Sequence, residues 1–68
     1  MYTKKFAENL QYLIGDRSVS SVAKEIGIPQ QTLWRYLHCQ REIGLENLCK
    51  LADYFDVELD YLAGRKEF

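Results

Sequence analysis

At 68 residues, 47% hydrophobic and 28% charged, the chain has room for one domain, and a domain near this size buries about 60% of its unfolded surface. This is too apolar for a disordered segment, yet no apolar run exceeds three residues (Tyr12-Leu13-Ile14 is one), which excludes a membrane span and the hydrophobic stretch of a signal peptide. Net charge is −1, but residues 1–41 hold six Lys and Arg against three Asp and Glu, whereas residues 42–68 hold three against seven; the asymmetry points to a polyanion-facing first part.

Five helical segments follow in chain order. The first runs from about Lys4 to Gly15, with Thr3 as its expected cap and Phe6, Leu10, Leu13 and Ile14 on one face. The second opens after the N-cap Ser18, carries Val19, Val22, Ala23 and Ile26 as its apolar stripe, and stops at Gly27, expected in the left-handed conformation. Ile28 bridges to Pro29, which suits the start of a helix because the donor it lacks is unpaired there anyway. The third helix then spans about Pro29 to His38, with Leu33, Tyr36 and Leu37 inward. A polar loop from Cys39 to Ile43 leads to Gly44, an acceptable N-cap, and to a fourth helix with Leu45, Leu48, Leu51, Ala52 and Phe55 at helical spacing. Val57 separates it from a short fifth helix, with Leu59 and Leu62 inward and Gly64 at its end. The tail from Arg65 to Phe68 is expected to fray.

The second and third helices are separated only by Gly27, Ile28 and Pro29. A turn that short forces a large interhelical angle, as in a helix-turn-helix. Ala23 is small where the two helices would cross, and Ile28 and Leu33 are placed to plug the angle from inside.

Together, Val22-Ala23-Lys24-Glu25-Ile26-Gly27-Ile28, Gln30-Gln31-Thr32-Leu33, Leu45-Glu46-Asn47-Leu48-Cys49-Lys50-Leu51-Ala52 and Val57-Glu58-Leu59-Asp60-Tyr61-Leu62 resemble the Cro/C1-type helix-turn-helix family, which includes phage repressors and bacterial regulators of the Xre kind. The similarity runs from Phe6 to Gly64. It implies an all-α fold, a compact five-helix lambda-repressor-like domain occupying residues 1–68, and sequence-specific binding of double-stranded DNA by a small transcriptional regulator of the phage or mobile-element repressor type. Departures from the family pattern are Val19 where Gln is frequent, Leu37 for Glu, Cys39 for Gly, and Ile43-Gly44 for Pro-Ser. Cys39 is strained if it keeps a glycine-like backbone.

With Leu33 taken as the inward direction and about 100° per residue, Gln31, Arg35 and His38 lie near 160°, 200° and 140°. They form one outward stripe flanked by Thr32 and Trp34, with Gln30 at the end that would enter the major groove. Gln can pair bidentately with adenine and Arg with guanine, and a Thr methyl can touch the thymine methyl. Residue types alone favour a solvated helix face. The resemblance assigns base contacts to Gln30, Gln31 and Arg35, and by extension to Thr32 and Trp34. Trp34 is open to two readings, packing over the fourth-helix loop or contact with sugar and methyl groups in the groove. His38 reads as a phosphate contact or a surface residue.

DNA-backbone contacts are expected from the edges of the unit. Arg17, Ser18 and Ser20 sit at the N-terminus of the second helix, where free backbone N–H groups and the helix dipole favour anions. Gln40, Arg41 and Asn47 are the candidates on the other side, and for Asn47 helix capping or solvation is an equal reading. Such contacts position a protein without specifying sequence. The acidic last part should face away from DNA. A homodimer on a palindromic operator is expected, with half-sites about 34 Å apart. Tyr54, Tyr61 and Phe68 are candidates for the dimer surface, and each is equally explicable as core or tail.

Cys39 and Cys49 form no CxxC pair, so reduced thiols are expected rather than a disulfide or zinc site. One His, no Gly-rich phosphate loop and no ligand-spaced cluster argue against an enzyme; no cofactor, metal, membrane or small-molecule ligand is expected. The expected location is the cytoplasm of a bacterial or phage-infected cell, on the nucleoid. The competing reading is a protein-interaction or antitoxin-like adaptor module that keeps the fold, favoured by net acidity, Val19 and Leu37.

Overall fold

Apolar stripes at helical spacing converge on one core in the computed structural model, which describes residues 3–65. The elements are α1 (Thr3–Ile14), α2 (Val19–Ile26), α3 (Gln30–Leu37), α4 (Leu45–Phe55) and α5 (Leu59–Ala63), and there is no strand among the described residues. Thr3, expected as a cap, is already the first residue of α1. Phe68 lies outside the described residues.

The core is built from Phe6, Leu10 and Ile14 of α1, Val22 and Ala23 of α2, Ile28 of the turn, Leu33 and Tyr36 of α3, Leu51 and Ala52 of α4 and Leu62 of α5. Leu13, Val19, Ile26, Leu37, Leu48, Phe55 and Val57 close its edges. Helix α1 packs on α3 and α5, α2 on α3 and α4, and α4 on α5. The Asn9 side chain donates to the Tyr61 carbonyl at 2.8 Å, which ties α1 to the last helix.

Two residues of the expected inward stripes do not reach this core. Leu45 is 71% exposed and Leu59 39% exposed. Each is the first residue of its helix, where the stripe continues past the edge of the elements it packs on. Helical periodicity specifies a face but not how far the neighbouring helix extends along it.

Helices α2 to α5 end alike: a residue in the left-handed region is followed by a backbone bond spanning five residues. The pairs are Gly27 with Ile28 N–H to Ala23 O at 3.1 Å, Cys39 with Gln40 N–H to Arg35 O at 2.9 Å, Asp56 with Val57 N–H to Ala52 O at 3.0 Å, and Gly64 with Arg65 N–H to Asp60 O at 2.8 Å. This is the Schellman arrangement, which satisfies carbonyls left over at a helix end. It uses glycine twice and non-glycine residues twice, Cys39 at φ 58° and Asp56 at φ 57°.

Cys39 does keep a glycine-like backbone, and this gives a stability prediction. A left-handed L-residue costs about 1–2 kcal/mol, while glycine adds about 0.5–1 kcal/mol of unfolded-state entropy. Cys39→Gly is expected to stabilise the fold by up to about 1 kcal/mol, a rise of about 4–8 °C in Tm for a domain of this size, read by thermal unfolding. Gly64→Ala should act in the opposite sense. Its φ is 90°, and an added Cβ would lie 2.5 Å from Lys5 Cγ, so strain in the backbone and a clash with α1 combine. At Gly27 nothing lies within 4 Å of such a Cβ, and Gly27→Ala should lower Tm less than Gly64→Ala.

Candidate nucleic-acid interface

Helix α2 starts where Ser18, in extended conformation, accepts the Ser21 N–H on its hydroxyl at 3.0 Å. That satisfies one of the four N–H groups a helix leaves unpaired at its start. At the other end the Ala23 carbonyl accepts both Gly27 N–H, at 2.9 Å, and Ile28 N–H, at 3.1 Å. Gly27 sits at φ 88°, in the left-handed region, which ends the helix at that residue. Pro29 then serves as the N-cap position of α3, and its carbonyl accepts the Leu33 N–H at 3.1 Å. Ala23, Ile28 and Leu33 are all buried at this corner, as the turn requires.

The rotation of α3 about its axis is set from inside. Leu33 is fully buried and Tyr36 is 2% exposed. The Tyr36 ring meets Phe6 edge-on at 6.1 Å, and its hydroxyl accepts from Asn47 Nδ2 at 2.9 Å. With that face held, Gln30, Gln31, Trp34, Arg35 and His38 are exposed, and Thr32 is half-buried. At a spacing of four residues they form two ridges, Gln30–Trp34–His38 and Gln31–Arg35. No acidic side chain engages Arg35 or Arg41 among the described residues.

Trp34 stacks on His38, with ring centroids 3.9 Å apart and planes at 20°. His38 Nδ1 is 2.8 Å from the Trp34 carbonyl, an acceptor, so Nδ1 is the protonated nitrogen that donates.

Around this face Ser20, Gln40 and Arg41 are exposed. Asn47 is half-buried and its Nδ2 is committed to Tyr36, which ties α4 to α3. Arg17 turns toward α4: its Nη1 donates to the Tyr54 hydroxyl at 2.8 Å, and its guanidinium lies 5.5 Å from the Tyr54 ring centre and 5.7 Å from that of Phe55. The Tyr54 hydroxyl in turn donates to Glu25 Oε1. The chain Arg17–Tyr54–Glu25 clamps α2 onto α4, and sequence reading missed it. Its members lie 37 and 29 residues apart, and no local pattern links them. The Trp34–His38 stack was also missed, although its spacing of four was visible.

The helix-turn-helix family model matches residues 15–62, from the residue after α1 into α5. The chain belongs to the Cro/C1-type helix-turn-helix family. No curated protein and no solved structure matches it. As a Cro/C1-type helix-turn-helix protein it has the all-α, five-helix, lambda-repressor-like fold and is a DNA-binding regulator. The matched span holds the turn at Gly27, all of α3, and the Leu45-to-Leu62 segment on which the resemblance had rested. Among the described residues no helix is long and apolar enough to cross a membrane, and no group of three or more His, Cys, Asp or Glu side chains gathers as a metal site would need.

Proposed function

We propose that this protein is a transcriptional repressor of the phage or mobile-element type that binds a palindromic operator as a homodimer and reads it with α3. The observation that carries the reading is the outward face of α3: Gln30, Gln31 and Arg35 are exposed on a helix whose opposite face is anchored by Leu33 and Tyr36. Gln30 and Gln31 would pair with adenine and Arg35 with guanine, with Thr32 and Trp34 at the flank of the same surface. Ser20, Gln40 and Arg41 are free to meet phosphates on either side. Ser18 would contribute through the helix start it caps. Arg17 and Asn47 would approach phosphate with part of their donor capacity already engaged by Tyr54 and Tyr36. Apart from Asn47 of α4, the base-reading and phosphate-holding groups thus come from the start of α2, α3 and the loop after it, in the more basic part of the chain.

A protein-interaction module is the second reading, favoured by the net charge of −1 and by the exposure of Leu45 and Leu59. Salt separates the two. Selection of duplexes from a random pool, followed by titration at increasing salt, is expected to return a palindrome whose affinity falls steeply as counterions are released. Absence of binding to selected and random duplexes alike at low salt would overturn the DNA reading.

A further inference from the structure

We propose that Trp34 and His38 act as one composite reader, in which the imidazole holds the indole as a flat platform for the 5-methyl group of a thymine in the major groove. His38 is then a positioning residue and not a phosphate contact. The inference rests on α3 being the groove helix and names what one of its ridges recognises.

The geometry restrains the pair before any ligand arrives. The rings stack at 3.9 Å and 20°. His38 is pinned to the turn that carries Trp34 by two bonds to one oxygen, Nδ1 at 2.8 Å and its backbone N–H at 3.1 Å from the Trp34 carbonyl. Swinging the imidazole toward a phosphate would give up both the stack and the Nδ1 bond. Trp34 nevertheless remains 41% exposed, on the ridge beside Gln31 and Arg35. An indole offers a single N–H donor and no acceptor, so most of its exposed area can only make apolar contacts. The thymine C5-methyl is the one apolar group that the base pairs present in the major groove. A ring already fixed against its neighbour also loses less side-chain freedom on contact than a free one.

The test uses a duplex selected by the wild-type protein, in which each thymine is replaced in turn by deoxyuridine, removing only the methyl. Trp34 is the single tryptophan, so its emission reports its own surroundings. At one position per half-site the replacement is expected to lower affinity about fourfold per methyl and to diminish the emission change on binding. His38→Phe, which keeps an aromatic ring to stack, should retain that discrimination. His38→Ala and Trp34→Ala should bring it to one while leaving the salt slope unchanged. The scan on the wild-type protein needs no variant to fold.

Indifference to every deoxyuridine, with steeply salt-dependent binding retained, would overturn the platform and leave α3 as the groove helix. A drop of about one in the salt slope for His38→Ala, with thymine discrimination intact, would make His38 a phosphate contact and would overturn its positioning role. If no duplex is bound at all, the operator reading and this inference fall together.

Discussion

Replacing Leu33 by alanine is expected to destabilise the protein by about 2–5 kcal/mol, enough to leave much of the population unfolded at room temperature. Leu33 is fully buried, at the corner where α2, the turn and α3 meet, so the lost side chain leaves a cavity bordered by several elements. A domain this small has little reserve; below about 70–80 residues a single core rarely supplies more than about 3–5 kcal/mol. Urea unfolding followed by circular dichroism measures the effect. A midpoint close to wild type would mean that α3 is not seated through Leu33, and the outward orientation of Gln31 and Arg35 would lose its foundation.

The second large effect is on recognition. Arg35→Ala should relax base preference at one operator position by about 1–3 kcal/mol, with little change at the others. The reason is geometric: Arg35 stands on the face opposite Leu33, exposed and without an acidic partner among the described residues, so its planar fork is free to meet the two acceptors of guanine. Binding of the variant to a panel of single-base operator substitutions reads this directly. A uniform loss across the panel, with a shallower salt dependence, would instead assign Arg35 to the phosphate backbone.

The two variants probe opposite faces of one helix, and neither effect depends on a DNA contact from Arg17 or Asn47. Those two side chains are better understood through what they hold. Asn47 fixes the Tyr36 hydroxyl from α4, and Arg17 closes the clamp through Tyr54 to Glu25. Both interactions tie the helix-turn-helix to α4 and so contribute to the angle at which α3 is presented.

Features that depend on a few consecutive residues were legible in the chain itself. Ser18 as a cap, Gly27 as a left-handed stop, Pro29 before α3 and the buried corner of Ala23, Ile28 and Leu33 follow from backbone sterics, capping chemistry and a 3.6-residue period, all local in sequence. The left-handed backbone at Cys39 was accessible through the resemblance, because glycine is common at that position in the family. The outward stripe of α3 was legible as a face once Leu33 was taken as inward, and the helices around it placed that face on the surface.

What the sequence by itself determined is therefore the order and type of the helices, the turn between α2 and α3, and which side of α3 looks out. Only the tertiary structure decided which stripe residues reach the core, leaving Leu45 and Leu59 outside it, and which polar groups are already occupied, committing Asn47 to Tyr36 and Arg17 to Tyr54. It also decided that the Trp34 ring stacks on His38. The physical reason is the same in each case: a helical period specifies direction around an axis, whereas burial, side-chain pairing and ring stacking depend on what stands opposite, and that is set by how helices distant in sequence pack together.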